Sequence, residues 1–285
     1  MKQNIGYRIV IWIGVALLLI WSLGPVYWTL ASSITPPNDF SARPIHFFPQ
    51  HFTLDHFERL LGINIARIGG VEVWAQFRLA LVNSIVASAL ATVICVAMSA
   101  FGAYAFTRMT FPGRRTLFIA VVATLAIPGY AVLIPLYRIM IGLHMVDTYI
   151  GVALIYVSAY LPLCLWLMRS VYESLPIALE EAAQLDGAGR LYIFVGIVLP
   201  VVGPGLTAAA ILTFLGAWGQ YLVPLIFSPT ATKPLTVLIP EFATKNFIDY
   251  GLITASGSIA IVIPALVVIF LNRYLVSGLL AGSVK

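Results

Sequence analysis

The sequence predicts an all-α integral membrane protein: six transmembrane helices and one cytoplasmic helical insert. Three observations carry that expectation. The 285 residues are 61% hydrophobic and only 9% charged, against roughly 45–50% and about 25% in a soluble globule, and mean hydropathy is +0.99. Apolar runs recur at about the 20 residues a helix needs to cross the hydrocarbon core. The stretch EEAAQLDG (180–187) concentrates Glu180, Glu181 and Asp186 in a segment that separates two of those runs.

The runs are 9–31, 79–106, 116–137, 149–168, 201–227 and 251–272, with polar or Pro- and Gly-rich stretches between them. The first follows Lys2 and Arg8 but exceeds the 7–15 or so apolar residues of a secretory signal, so it reads as an uncleaved span. Pro128, Pro135, Pro162, Pro204, Pro224 and Pro264 lie in or at the edges of later runs and predict bends. Six spans place both termini on one side. With the termini in the cytoplasm, inner segments hold nine Lys and Arg and the longer outer segments seven, which favours that orientation. The basic balance is thus topological, and without a basic stripe interleaved with aromatics no nucleic-acid partner is expected. The expected organisation is one membrane domain, 1–285, with an external segment at 32–78 and a cytoplasmic insert at 173–200.

Ionisable side chains are confined to the ends of the runs. That argues against a proton-driven carrier, which needs titrating relays within the membrane. A self-sufficient secondary carrier for a neutral solute, using backbone carbonyls to hold a coupling cation, stays open as an alternative. The polar groups in or beside the spans are neutral. Asn83, Tyr130, Tyr156, Tyr160, Trp218, Gln220 and Tyr221 are the candidates for the path of an uncharged, hydroxyl-rich solute, although such residues also pack helices together. No HExxH or GxSxG motif points to a catalyst. Cys95 and Cys164 lack CxxC spacing and read as small buried hydrophobes. His46, His51 and His56 recur every five residues, whereas a helix would present metal ligands three or four apart, so no metal site is expected. Thr53, Asp55 and Glu58 instead predict a short capped helix.

The insert runs SLPIALEEAAQLDGAGRLYIFVGIVLP, residues 174–200. Ser174 is the expected N-cap, Pro176 suits the first turn, and Asp186-Gly187 ends the helix. At 100° per residue Leu175, Ala178, Leu179, Ala182, Ala183 and Leu185 share one face, and Glu180, Glu181 and Gln184 the opposite one. Helices lying on anionic lipid favour Lys and Arg on the polar face. An acidic polar face suits a soluble partner with basic groups better.

The pattern Glu181-Ala182-Ala183, Gly187, then Ile197-Val198-Leu199-Pro200 resembles the EAA loop of binding-protein-dependent ABC importers. YAFTRMTFPGRR (104–115) and GLLAGSVK (278–285) are similar to stretches of the smaller permease of maltose-type carbohydrate importers. The resemblance covers most of the chain. It departs at Trp218-Gly219-Gln220, where that family often has Trp-Asn-acid. The family implies a type I importer permease fold in a bacterial or archaeal plasma membrane, embedded in lipid. It implies a second homologous permease, two copies of a cytoplasmic ATPase and an external solute-binding protein. It also implies an uncharged sugar or polyol as cargo, and coupling to the ATPase through Glu181, Ala182, Ala183, Leu185 and Gly187, with Glu180 and Asp186 beside them. No cofactor is expected on this chain. Without a GxxxxGK[ST] loop, ATP and Mg belong to the partner ATPase.

Overall fold

The computed structural model describes residues 5–41, 46–65, 67–68, 71–243 and 248–282. Lys2, Arg43 and Lys245 of the charge count, and the last residues of the tail, fall outside them. In chain order the helices begin α1 (Ile5–Ser33), α2 (Asp55–Leu61), α3 (Val73–Arg108), α4 (Arg114–Ala123), α5 (Leu133–Gly142), α6 (Tyr149–Ser174) and α7 (Ala178–Leu185). There follow α8 (Arg190–Tyr192), α9 (Leu199–Val201), α10 (Gly203–Trp218), α11 (Leu222–Phe227), α12 (Leu235–Glu241) and α13 (Tyr250–Gly282). Strands β1 (Arg67–Ile68) and β2 (Val71–Glu72) pair antiparallel.

Among the described residues, helices α1, α3, α6 and α13 are each long and apolar enough to cross a bilayer, and two bent pairs bring the number to six where each pair counts as one span. The third run bends near its middle and the fifth at its start, beside prolines expected to bend them, and each bend is sharp enough to separate two helices. In the third, Pro128 disfavours helical geometry for the residue before it; Ile127 is extended (ψ 124°), and the chain turns by 99° before α5. In the fifth, Pro200 and Pro204 flank Val202 and the axis bends by 73°. A π-helical stretch, Ile193–Val198, joins α8 to α9. The fifth run also stops short: α10 ends at Trp218, and α11 is a separate helix.

The chain divides into two compact units, Met1–Leu79 with Leu238–Val262 and Ala80–Val237 with Ile263–Lys285. In the first, the expected short helix is α2, and the Thr53 hydroxyl accepts from the Asp55 N–H at 3.1 Å. One face of α2 is buried. His56 makes a 3.0 Å hydrogen bond with the Thr35 carbonyl through Nε2, and Arg59 pairs with Asp249 at 2.7 Å. Asp249 also accepts from the Leu252 N–H at 2.9 Å, capping the start of α13. Of the other histidines in the five-residue series, His51 meets Asp39 at 3.0 Å and His46 lies near the Gln50 amide.

The second unit holds the main core, in which α6 packs along α10. The helices approach closely because Gly216 faces the Tyr160 ring, where any Cβ would overlap it. Cys95 and Cys164 are fully buried in this core as reduced thiols, and Cys164 Sγ lies 3.2 Å from Thr213 Oγ1.

Candidate functional site

The acidic stretch forms a small helix clamped at both ends. Pro176 holds Leu175 extended (ψ 123°), which terminates α6. Ser174 is thus the last residue of α6, its hydroxyl bonded to Val171 O at 2.8 Å, and does not cap α7 as expected. The first turn of α7 is closed instead by Ile177 O, which accepts from the N–H groups of Glu180 and Glu181 at 2.9 and 3.1 Å. At the far end Ala188 N–H bonds Ala183 O and Gly187 N–H bonds Gln184 O, at 2.9 and 3.0 Å. With Gly187 at φ +83°, this is a Schellman motif ended by the glycine, as expected.

The helix departs from the simple wheel chiefly at Glu180. Glu180 is 5% exposed, whereas Leu179, Ala182 and Leu185 face outward, Leu185 at 90% exposure. Ala183 is buried; Glu181, Gln184 and Asp186 are exposed. The cause lies in α3. Arg108 Nε contacts Glu180 Oε1 at 2.6 Å, Tyr104 donates its hydroxyl to Glu180 Oε2 at 3.0 Å, and Arg108 also donates to Leu175 O at 2.8 Å. A charge-assisted pair with further hydrogen bonds makes burial of a carboxylate tolerable. Beside the pair runs an open groove of about 550 Å³, lined by Thr107, Glu181, Gln184 and Arg190 among others.

Two of the seven path candidates meet at a second groove, of about 550 Å³, opened by the break in the third span. Tyr130 and Gln220 line it together with Thr124 and Ser158. The Gln220 side chain is oriented from behind, its amide donating to Tyr160 Oη at 2.7 Å, while its backbone carbonyl accepts from Thr236 Oγ1 at 2.6 Å. Tyr156 and Trp218 are buried, the latter stacked on Phe214, and Tyr221 is exposed. Asn83 is fully enclosed. Its amide donates to the carbonyls of Ala231 and Lys233 at 3.0 and 2.9 Å and accepts from Tyr149 Oη at 2.5 Å.

A further polar cluster was not anticipated from the sequence. Asp147, at φ +58° just before α6, accepts from the hydroxyls of Thr230 and Thr232 and from the N–H groups of Ala231 and Thr232. The available signal was an acid beside a loop end and a Thr-rich segment, SPTATKP, more than 80 residues later. Nothing in either stretch specifies that the two meet.

Comparison with known proteins places this geometry. Residues 99–280 match the family model described as binding-protein-dependent transport system inner membrane component. The trehalose transport system permease protein SugB of Mycobacterium tuberculosis is 33% identical over 94% of each chain. The osmoprotective compounds uptake permease protein GgtD of Synechocystis is 39% identical over 72% of this chain and 70% of its own. In fold, the chain resembles a subunit of a bacterial ABC transporter involved in the import of the acidic polysaccharide alginate. There the TM-score is 0.79 at 20% identity, covering 96% of this chain and 97% of that one. The chain belongs to the binding-protein-dependent transport system inner membrane components and is a multi-pass permease subunit, not an enzyme.

Proposed function

We propose that this chain forms one half of the translocation path of an ATP-driven importer for an uncharged sugar or polyol. A second homologous permease supplies the other half. Two ATPase copies bind from the cytoplasm, one of them at α7, and an external binding protein delivers the solute. In this reading both termini and residues 173–200 are cytoplasmic, and residues 32–78 face outward.

The carrying observation is the outward apolar edge of α7. Leu179, Ala182 and Leu185 are exposed on a helix outside the spans, beside exposed Glu181 and Gln184. Such an edge with an acidic flank fits a partner groove that is apolar at its floor and basic at its rim. The relatives support the cargo class: SugB is a trehalose permease by name, and another relative, of Thermococcus litoralis, is a trehalose/maltose permease 29% identical over the full length. Tyr130 and Gln220, an aromatic face and an amide without charge, suit hydroxyl-rich neutral cargo.

Purification in mild detergent should recover an ATPase with a phosphate-binding loop and a second permease, identified by mass spectrometry. Leu185→Asp, which puts a charge into the apolar edge, should lose the ATPase while retaining the second permease. Recovery of this chain alone, even after gentle cross-linking, would overturn the assignment.

A further inference from the structure

The buried pair under α7 joins three helix ends at one point. Arg108 is the last residue of α3 and donates to Leu175 O just past the end of α6, so one guanidinium sits at two helix C-termini. Glu180 lies in the first turn of α7, at its N-terminus. Each charge therefore complements the helix dipole it touches as well as its partner. Both side chains are largely withdrawn from water, Arg108 at 11% and Glu180 at 6% exposure. Tyr104, one turn back on α3, fixes the second carboxylate oxygen and is itself wedged between the Tyr172 and Phe194 rings at 5.8 and 4.9 Å.

This arrangement does something the backbone does not. Helix α7 is tied covalently to α6 through Leu175–Ile177 and to α8 through Gly187–Gly189, but the peptide chain gives it no short link to α3. The direct polar tie between α7 and α3 runs through Glu180, to Arg108 and Tyr104. We infer that the Arg108–Glu180 pair is the strut through which displacement of α7 is handed to α3, with Glu180 and Arg108 as positioning residues rather than ATPase contacts. The inference rests on the importer reading above. It assigns to Glu180 a task different from that of its exposed neighbour Glu181, which remains available to the partner.

The test is solute transported per ATP hydrolysed by the reconstituted four-component assembly. Glu180→Gln keeps nearly the same shape and an acceptor for Tyr104 but removes the charge, and Arg108→Gln removes the other. Loss of one member of a buried pair is large enough for each to lower the ratio about tenfold at equal assembly. The double variant should lose no more than the worse single, since the pair acts as a unit. Tyr104→Phe should lower the ratio about twofold, the scale of one neutral hydrogen bond, and gives a reading if the charge variants do not assemble. A ratio unchanged in Glu180→Gln and Arg108→Gln, or losses that multiply in the double variant, would overturn the strut.

A second readout needs no ATPase. With spin labels at Gln184→Cys and Thr110→Cys, two positions on the junction groove, the distance distribution should broaden in Glu180→Gln, and an unchanged distribution would contradict the strut. If the unmodified chain assembles with no ATPase, the importer reading fails while this measurement still judges the junction.

Discussion

The two ends of α6 hold their carboxylates by opposite means. Beyond its C-terminus, Glu180 is buried and met by a cation, Arg108, with Tyr104 as second donor. Before its N-terminus, Asp147 is met by neutral donors, the hydroxyls and amides of Thr230, Ala231 and Thr232. The first arrangement joins three separate helices through long side chains. The second fastens a loop to a helix start, much of it through backbone, and Asn83 and Ser84 brace the same loop by binding Ala231 O, Lys233 O and Leu235 N–H. One end is a latch that fixes a loop. The other is a joint, whose tie can stay made while its helices tilt because both partners are side chains.

Removing each acid tests the contrast most severely. Glu180→Ala strands a guanidinium at 11% exposure, and breaking such a pair costs about 3–5 kcal/mol. Asp147→Ala leaves hydroxyls and amides that water can partly reach, at a cost of about 1–3 kcal/mol. Thermal unfolding of the purified chain in one detergent should therefore show the larger drop in Tm for Glu180→Ala. The reverse order would mean that the latch, and not the joint, carries the stability of this unit.

The same contrast shows how far the sequence could be read. The apolar runs announced the helices because hydropathy is a local property, and the EAA spacing announced α7. The orientation of α7 was not local. A wheel sorts Glu180 with Glu181 as outward, but Arg108, 72 residues earlier, reverses Glu180 and sends Leu179 and Leu185 out. Pro128 marked a bend, yet a proline signals only that a helix is interrupted and not the angle of 99° that results. Asn83 drew notice as a polar residue in a span. Its use as a bracket depends on a loop about 150 residues away, and so does that of Asp147 on Thr230 and Thr232.

A finer test uses pH. Burial works to raise the Asp147 carboxyl, but hydrogen bonds from Thr230, Thr232 and Ala231 outweigh it and hold the pKa at about 2, below the ordinary 3.8. A depressed folded-state value means its contribution is complete above 3.8 and is lost as the pH falls through about 2. Other carboxylates titrate in that window, so the informative quantity is wild type minus Asp147→Asn. That gap in Tm should be constant above about pH 5 and shrink steadily on acidification below about pH 4. A gap independent of pH would show that the charge adds nothing to the latch.

The smallest effect concerns backbone alone. Left-handed residues flank the α6–α7 segment: His144 and Asp147 at φ +53° and +58° before α6, and Gly187 at φ +83° after α7. Asp147 is held there by side-chain bonds, and Asp tolerates this region better than most residues. Gly187 has no side chain to hold, and a Cβ added to it would meet nothing within 4 Å. Gly187→Ala should then cost only the intrinsic penalty of the conformation, about 1 kcal/mol, and Gly187→Asn distinctly less, read as small Tm shifts in the same detergent. A much larger loss would require a contact that the added Cβ does not make in the isolated chain. Its source would then have to be the partner seated against α7, and the penalty should appear only in the assembled transporter. Measuring both variants with and without the ATPase therefore separates the cost of the turn from the fit of the helix it ends.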